Sequence, residues 1–194
     1  MGLGEGRSRT GVAGLDEVLG GGLLPNRLYL VDGDPGAGKT TLALQFLLEG
    51  MRADERCMYV TLSESKQELE AGAASHGWSL DGIQILELLS EADLFDDAEQ
   101  LTVFTESEVE LSTTTRRILT AVEQYAPHRV VLDSLSDLRL LAQNSLRYRR
   151  QVVALKQFFM GRRCTVLMLD DRTMQGPDLQ LHSIAHGVIA LNSS

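Results

Sequence analysis

The stretch Gly33-Asp-Pro-Gly-Ala-Gly-Lys-Thr-Thr41 decides how this chain is read. It fits the pattern G-x-x-x-x-G-K-[ST], with Gly33, Gly38, Lys39 and Thr40 in the fixed places. That pattern is a phosphate-binding loop, and each residue type in it has a physical task. The glycines let the backbone curl so that successive N–H groups point inward at phosphate oxygens. All nine positions, Gly33, Asp34, Pro35, Gly36, Ala37, Gly38, Lys39, Thr40 and Thr41, are therefore candidates for holding a nucleotide's phosphates. Lys39 suits a point charge on the β- and γ-phosphates, which makes it a catalytic candidate as well. The Thr40 hydroxyl suits a ligand to the Mg²⁺ that bridges them. An ordinary Gly-rich corner would show the glycines without the context. Here Leu28-Tyr-Leu-Val31 reads as a buried strand before the loop, and Thr40 to Glu49 as a helix whose N-terminus faces the anion.

The composition bounds the remaining possibilities. With 194 residues, 43% of them hydrophobic and 23% charged, the chain has enough material for one globular domain with a sizeable core. No apolar run approaches the roughly 18 residues of a membrane span. The start, Met-Gly-Leu-Gly-Glu-Gly-Arg, lacks the apolar centre of a signal peptide, so a cytoplasmic chain without membrane attachment is expected. The net charge of −9 disfavours non-specific nucleic-acid binding, which relies on Lys and Arg neutralising phosphates. Arg147-Tyr-Arg-Arg150 is the one dense basic cluster, and a solvated helix face accounts for it. Cys57 and Cys164 form no C-x-x-C and read as buried free thiols in a reducing compartment.

Strand and helix patterns alternate along the chain. A helical turn at Leu15–Leu19 stops at Gly20-Gly21-Gly22. Cys57–Leu62 reads as a second strand and Ser65–Ala74 as a helix capped by Ser65. Ile83–Leu88 reads as a third strand, Ser112–Tyr125 as a helix stopped by Pro127, and Arg129–Asp133 as a fourth strand. Ser145–Met160 is a long helix ended by Gly161, followed by strands at Cys164–Leu169 and Val188–Leu191. Ser90 to Glu110 is acidic, weakly periodic, and expected to be partly irregular; its carboxylate spacing matches no calcium loop. The alternation predicts an α/β fold with a mainly parallel central sheet flanked by helices.

Two carboxylates complete the candidate site. Asp133 ends the apolar run Val130-Val-Leu, where an Asp can hold the Mg²⁺ shell. Glu64 follows the second strand, at the carboxyl end where open α/β sheets place their ligands, and could act as the base that orients the attacking water. A surface Glu opening the next helix is the plainer alternative. Asp170, Asp171 and Arg172 leave the fifth strand on the same edge, where one could sense the γ-phosphate or all could form a polar loop.

These motifs, taken in order from Thr10 to about Leu191, resemble the KaiC-type ATPases of the RecA superfamily. The carriers are T-G-V-A-G-L-D-E-V-L-G-G-G-L-L-P, the phosphate loop, Y-V-T-L-S-E-S-K-Q-E-L with H-G-W, V-V-L-D-S-L-S-D-L, and Y-R-R-Q-V-V-A-L-K-Q-F-F. The resemblance implies a RecA-like P-loop NTPase core, ATP and Mg²⁺ as cofactors, and a homo-oligomeric, hexameric ring with a signalling partner in circadian-type regulation. Two departures qualify it. The family commonly has two glutamates after the second strand, where this chain has Ser63-Glu64. Family members also continue into a strand with a basic K-x-R pair that reaches the neighbour's nucleotide, and Leu191-Asn-Ser-Ser194 shows none. Residues 1–194 are therefore expected to form a single domain lacking its C-terminal interface strand. Arg147–Arg150 or Arg172 could partly substitute for the basic pair. A nucleotide-dependent assembly module with little turnover is the alternative function. A RadA- or RecA-like DNA-associated ATPase is another, disfavoured by the charge and by the absence of an N-terminal zinc motif. Autophosphorylation at Ser183, by resemblance, competes with the simpler reading of a Ser in a polar loop.

Overall fold

The computed structural model describes residues 6–88, 106–172 and 179–192. Six strands, β1 (Leu28–Gly33), β2 (Cys57–Thr61), β3 (Gln84–Glu87), β4 (Arg129–Asp133), β5 (Thr165–Asp171) and β6 (Gly187–Leu191), form one parallel sheet in the order β3-β2-β4-β5-β1-β6. The helices are α1 (Ala13–Val18), α2 (Lys39–Arg52), α3 (Lys66–Ser75), α4 (Glu106–Tyr125), α5 (Leu135–Ala142), α6 (Ser145–Met160) and α7 (Leu179–Ile184). No helix among the described residues is long and apolar enough to cross a membrane.

The central strands are apolar on both faces because both faces are covered. Period-two alternation divides them between two cores. Leu30, Val60, Leu132 and Met168 meet α4, α5 and α6 on one side. Val31, Tyr59, Val131 and Leu169 meet α2 and α3 on the other. The helices change face where the chain reverses direction at the β3 edge, as crossovers of a single hand require. Both cysteines are buried free thiols, pushed up to about 12 by burial, and are thus inert at neutral pH.

The opening segment is a structural clasp. Buried Asp16 accepts hydrogen bonds from Thr10 N (2.7 Å), Thr10 Oγ1 (2.8 Å) and Gly11 N (3.3 Å). The buried Arg129 guanidinium ties this clasp to the fold by donating to the Arg9 and Phe46 carbonyls and pairing with Glu55.

Several helices begin or end where local chemistry says they should. Ser65 and Glu68 form a reciprocal capping box at α3. The helix expected from Ser112 starts earlier, at Glu106. The rest of the expected acidic excursion, residues 89–105, lies outside the described residues. The sequence reading left out α5, which begins at a second capping box, Ser134 with Asp137.

Candidate functional site

The phosphate loop joins the carboxyl end of β1 to α2. Its turn runs through left-handed glycines, Gly36 at φ 81° and Gly38 at φ 91°, with nothing within 4 Å of where a Cβ would stand. Gly33 is a glycine for another reason. A Cβ there would come within 2.9 Å of the Leu191 carbonyl on the neighbouring β6. Asp34, Pro35 and Gly36 are exposed, Ala37, Gly38, Thr40 and Thr41 half-buried, and Lys39 buried. The cap residue of α2 is Gly38, so no side chain occupies the helix's first N–H groups, and its first turn holds no acid. An uncapped N-terminus beside a curled loop is a receptor for an anion.

Lys39 Nζ donates to the Gly33 and Asp34 carbonyls at 2.9 and 2.8 Å and pairs with Asp171 Oδ1 at 2.7 Å. Parallel register explains that last contact, since Gly33 lies opposite Asp171. The ammonium is held across the loop, next to where phosphates would lie.

Asp133 and Thr40, 93 residues apart in sequence, are brought together by the β2–β4 pairing and by α2 packing across it. Thr40 Oγ1 donates to Asp133 Oδ2 at 3.4 Å, and the buried Tyr59 hydroxyl donates to the same oxygen. Burial pushes the Asp133 carboxyl up to about 6; the Tyr59 bond pulls it down, and Glu64, Asp137 and Asp171 push it up further. A hydroxyl that donates to a carboxylate keeps its lone pairs, so Thr40 can still ligate a cation. Among the described residues there is no group of three or more metal-ligating side chains. Mg²⁺ does not need one: it is commonly bound through one or two side chains, waters and substrate phosphates. The donor set therefore fits Mg²⁺ with a nucleotide.

Glu64 sits in the β2–α3 connection. Buried Thr61 fixes that bend: its hydroxyl accepts from the Glu64 N–H at 3.0 Å and donates to the Glu64 carbonyl at 2.8 Å. Partial burial, then the nearby Glu68, raise the Glu64 carboxyl above its ordinary value. A raised carboxyl is better matched to accepting a proton near neutral pH.

The three residues leaving β5 have separate roles. Asp170 is held by Ser136 Oγ at 2.8 Å and Arg139 at 2.9 Å, so it braces α5. Asp171 faces the loop through Lys39. Arg172 donates to buried Asp32 at 3.0 Å and to Asn192 at 2.6 Å, so its guanidinium is engaged within its own chain. Arg147, Arg149 and Arg150 stand exposed on α6, and Ser183 is exposed on α7. The sequence reading missed Tyr59, Thr61 and Asp32. A hydroxyl in a strand that is apolar on both faces was the available signal, because a buried Tyr or Thr oxygen needs a partner.

A family model described as the KaiC ATPase matches residues 8–194. The chain belongs to the KaiC ATPase family. It is 28% identical over 190 residues to a UPF0273 protein of Thermotoga maritima, covering 94% of this chain and 76% of that one. It is 30% identical over 168 residues to the circadian clock oscillator protein KaiC of Parathermosynechococcus lividus, covering 86% of this chain but 31% of that protein. In structure it resembles a KaiC-like protein from Pyrococcus horikoshii with a TM-score of 0.77 and 25% identity, covering 96% of this chain and 80% of the other. The RecA-like α/β architecture expected from the motifs is the one found, and the family places a nucleotide-binding P-loop domain in this chain.

Proposed function

We propose that this KaiC-family chain binds ATP with Mg²⁺ and hydrolyses it, as a single domain of residues 1–194 working within a homo-oligomeric ring in the cytoplasm. The observation that carries this reading is the convergence of Lys39, Thr40, Asp133 and Glu64 on one end of the sheet.

Each residue has an assigned part. The loop from Gly33 to Thr41 wraps the phosphates with backbone N–H groups, and the α2 N-terminus adds its dipole. Lys39 exchanges Asp171 for the β- and γ-phosphate oxygens. Thr40 and Asp133 would hold the metal, Thr40 through its hydroxyl and Asp133 by orienting Thr40 and accepting from metal-bound water. Mg²⁺ supplies charge neutralisation on the transferring phosphoryl group. Glu64 orients the attacking water and accepts its proton. Positioning and electrostatics are the main demands of this chemistry; Lys39 and Thr40 sit on α2, Asp133 on β4, and Thr61 pins the bend that carries Glu64.

A second reading, a nucleotide-dependent assembly module with little turnover and a protein signalling partner, is favoured by two particulars. Ser63 stands where the family commonly has a further acid, and Arg172 is engaged by Asp32 and Asn192 instead of being available to a neighbour. Phosphate release by purified protein, with and without Glu64→Gln, separates the two. Turnover that falls at least about tenfold in the variant, with nucleotide affinity kept, supports the ATPase. Equal, background-level release from both proteins, with tight nucleotide binding, leaves the assembly module.

A further inference from the structure

We propose that Tyr59 is a positioning residue for the metal half of the site: its hydroxyl orients Asp133, and through Asp133 it sets the affinity for the Mg²⁺ that accompanies the nucleotide. The inference rests on the Mg²⁺–nucleotide reading above.

Tyr59 lies on β2, is 1% exposed, and packs its ring in the core between the sheet and α2. Phe would fill that core at lower desolvation cost, because a buried hydroxyl left unpaired costs about 1–3 kcal/mol. A reason is needed for the oxygen, and its two hydrogen-bonding neighbours, Asp133 and Thr40, both belong to the site. The hydroxyl donates to Asp133 Oδ2 on the adjacent strand β4. The register is direct: Tyr59 pairs with Val131 and Thr61 with Asp133, so the ring reaches along the strand direction to the carboxylate two residues on.

The consequence is geometric. Asp133 is the last residue of its strand, where backbone constraint is weakest and a carboxylate has two torsions to choose from. Tyr59 and Thr40 both donate to Oδ2, which fixes the plane of the carboxylate and leaves Oδ1 for other donors, such as waters of a metal shell. The Tyr59 oxygen comes from the core side and Thr40 from the loop side. If Tyr59 is lost, only the longer Thr40 contact, at 3.4 Å, remains to orient the group. Groups bonded directly to metal ligands typically carry a 10- to 100-fold share of metal affinity, and Tyr59, acting through Asp133, belongs at the low end of that range.

A merely structural Tyr59 would lower stability on conversion to Phe and leave metal dependence alone. The test titrates Mg²⁺ against binding of a fluorescent ATP analogue to wild type, Tyr59→Phe, Asp133→Asn and the double variant, with thermal melts as a check on folding. The expected result for Tyr59→Phe is unchanged affinity in EDTA and about tenfold more Mg²⁺ for half-maximal tightening. The double variant should then be no worse than Asp133→Asn alone, since both changes act through one group. If Asp133→Asn shifts the Mg²⁺ midpoint and Tyr59→Phe does not, the inference is overturned while the site reading stands. If Tyr59→Phe also weakens binding in EDTA to the same degree, its role is packing, and the inference again fails. If the wild type shows no Mg²⁺ dependence at all, the site reading itself falls and takes the inference with it.

Discussion

Asp133→Asn should make the ligand-free protein more stable above about pH 6. The carboxyl titrates at about 6 in the fold, against an ordinary 3.8, chiefly because it is buried. A group raised in this way holds its proton in the folded state at a pH where the unfolded chain has lost it. Its contribution is therefore fully favourable below 3.8, decays as the pH climbs, and becomes a full penalty once the pH passes 6. The difference of about 2 pKa units corresponds to about 3 kcal/mol at 1.36 kcal/mol per unit. The Tyr59 bond is already contained in that value, since it pulls the carboxyl down. Asn keeps an oxygen to accept from Tyr59 and Thr40, but its amide hydrogens need partners, which takes back about 1 kcal/mol. The net gain is about 2 kcal/mol, or a rise in Tm of about 4–8 °C for a chain of this size. Thermal unfolding followed by circular dichroism across about pH 4–8, without nucleotide or divalent cation, reads it directly. The two melting curves should converge near pH 4 and separate as the pH rises. A variant that melts at or below wild type at pH 8, or a gap independent of pH, would refute the reasoning.

Asp171→Asn should tighten nucleotide binding in EDTA by about fivefold, because it removes the in-chain competitor for Lys39; the half-exposed carboxylate limits the gain to about 1 kcal/mol. Fluorescent-nucleotide titration checks it, and weaker binding would show that Asp171 assists the phosphates instead. Asp16→Ala should cost about 2–4 kcal/mol, since it orphans the Thr10 and Gly11 donors, yet leave the affinity of the folded protein for nucleotide unchanged. Denaturant unfolding beside a binding titration separates the two effects, and an affinity loss without a stability loss would contradict the clasp.

Much of this arrangement was legible in the residues. The loop was readable because its chemistry is local: nine consecutive residues define it. Asp133 and Glu64 were readable because an apolar run ending in a carboxylate marks the ligand edge of a parallel sheet. The partners of those residues were not readable, because they depend on strand order. Lys39 meets Asp171, and Arg172 meets Asp32, 140 residues away, only because β5 lies beside β1. Arg172 had been a candidate to reach a neighbouring subunit, and its tie to Asp32 follows from a pairing that no spacing reveals. Helix α5 was a different failure. Ser134-Leu-Ser-Asp137 carries a capping-box signature, S-x-x-D, in plain view, but an eight-residue helix gives too few turns for periodicity to register.

The charges around the loop suggest why nucleotide and metal should enter together. Glu64, Asp137 and Asp171 all push the Asp133 carboxyl upward, so four acids share one end of the sheet. Lys39 offsets one of them by direct contact. When phosphates draw Lys39 away, Asp171 loses its partner and the anionic load rises by that charge and by the phosphates themselves. A bare nucleotide therefore meets a site that grows more repulsive as it binds. A divalent cation held at Thr40 and Asp133, as proposed, would reverse the sign of that change, because the metal would become the largest local charge. The same accounting says where Asp171→Asn must act: it should help metal-free nucleotide more than Mg²⁺-bound nucleotide, because the cation already compensates the charge that the substitution deletes. The buried Asp133 carboxyl, which destabilises the empty fold, is on this reading part of what makes its affinity depend on Mg²⁺, an exchange of stability for function at a site that a fold optimised for stability alone would neutralise.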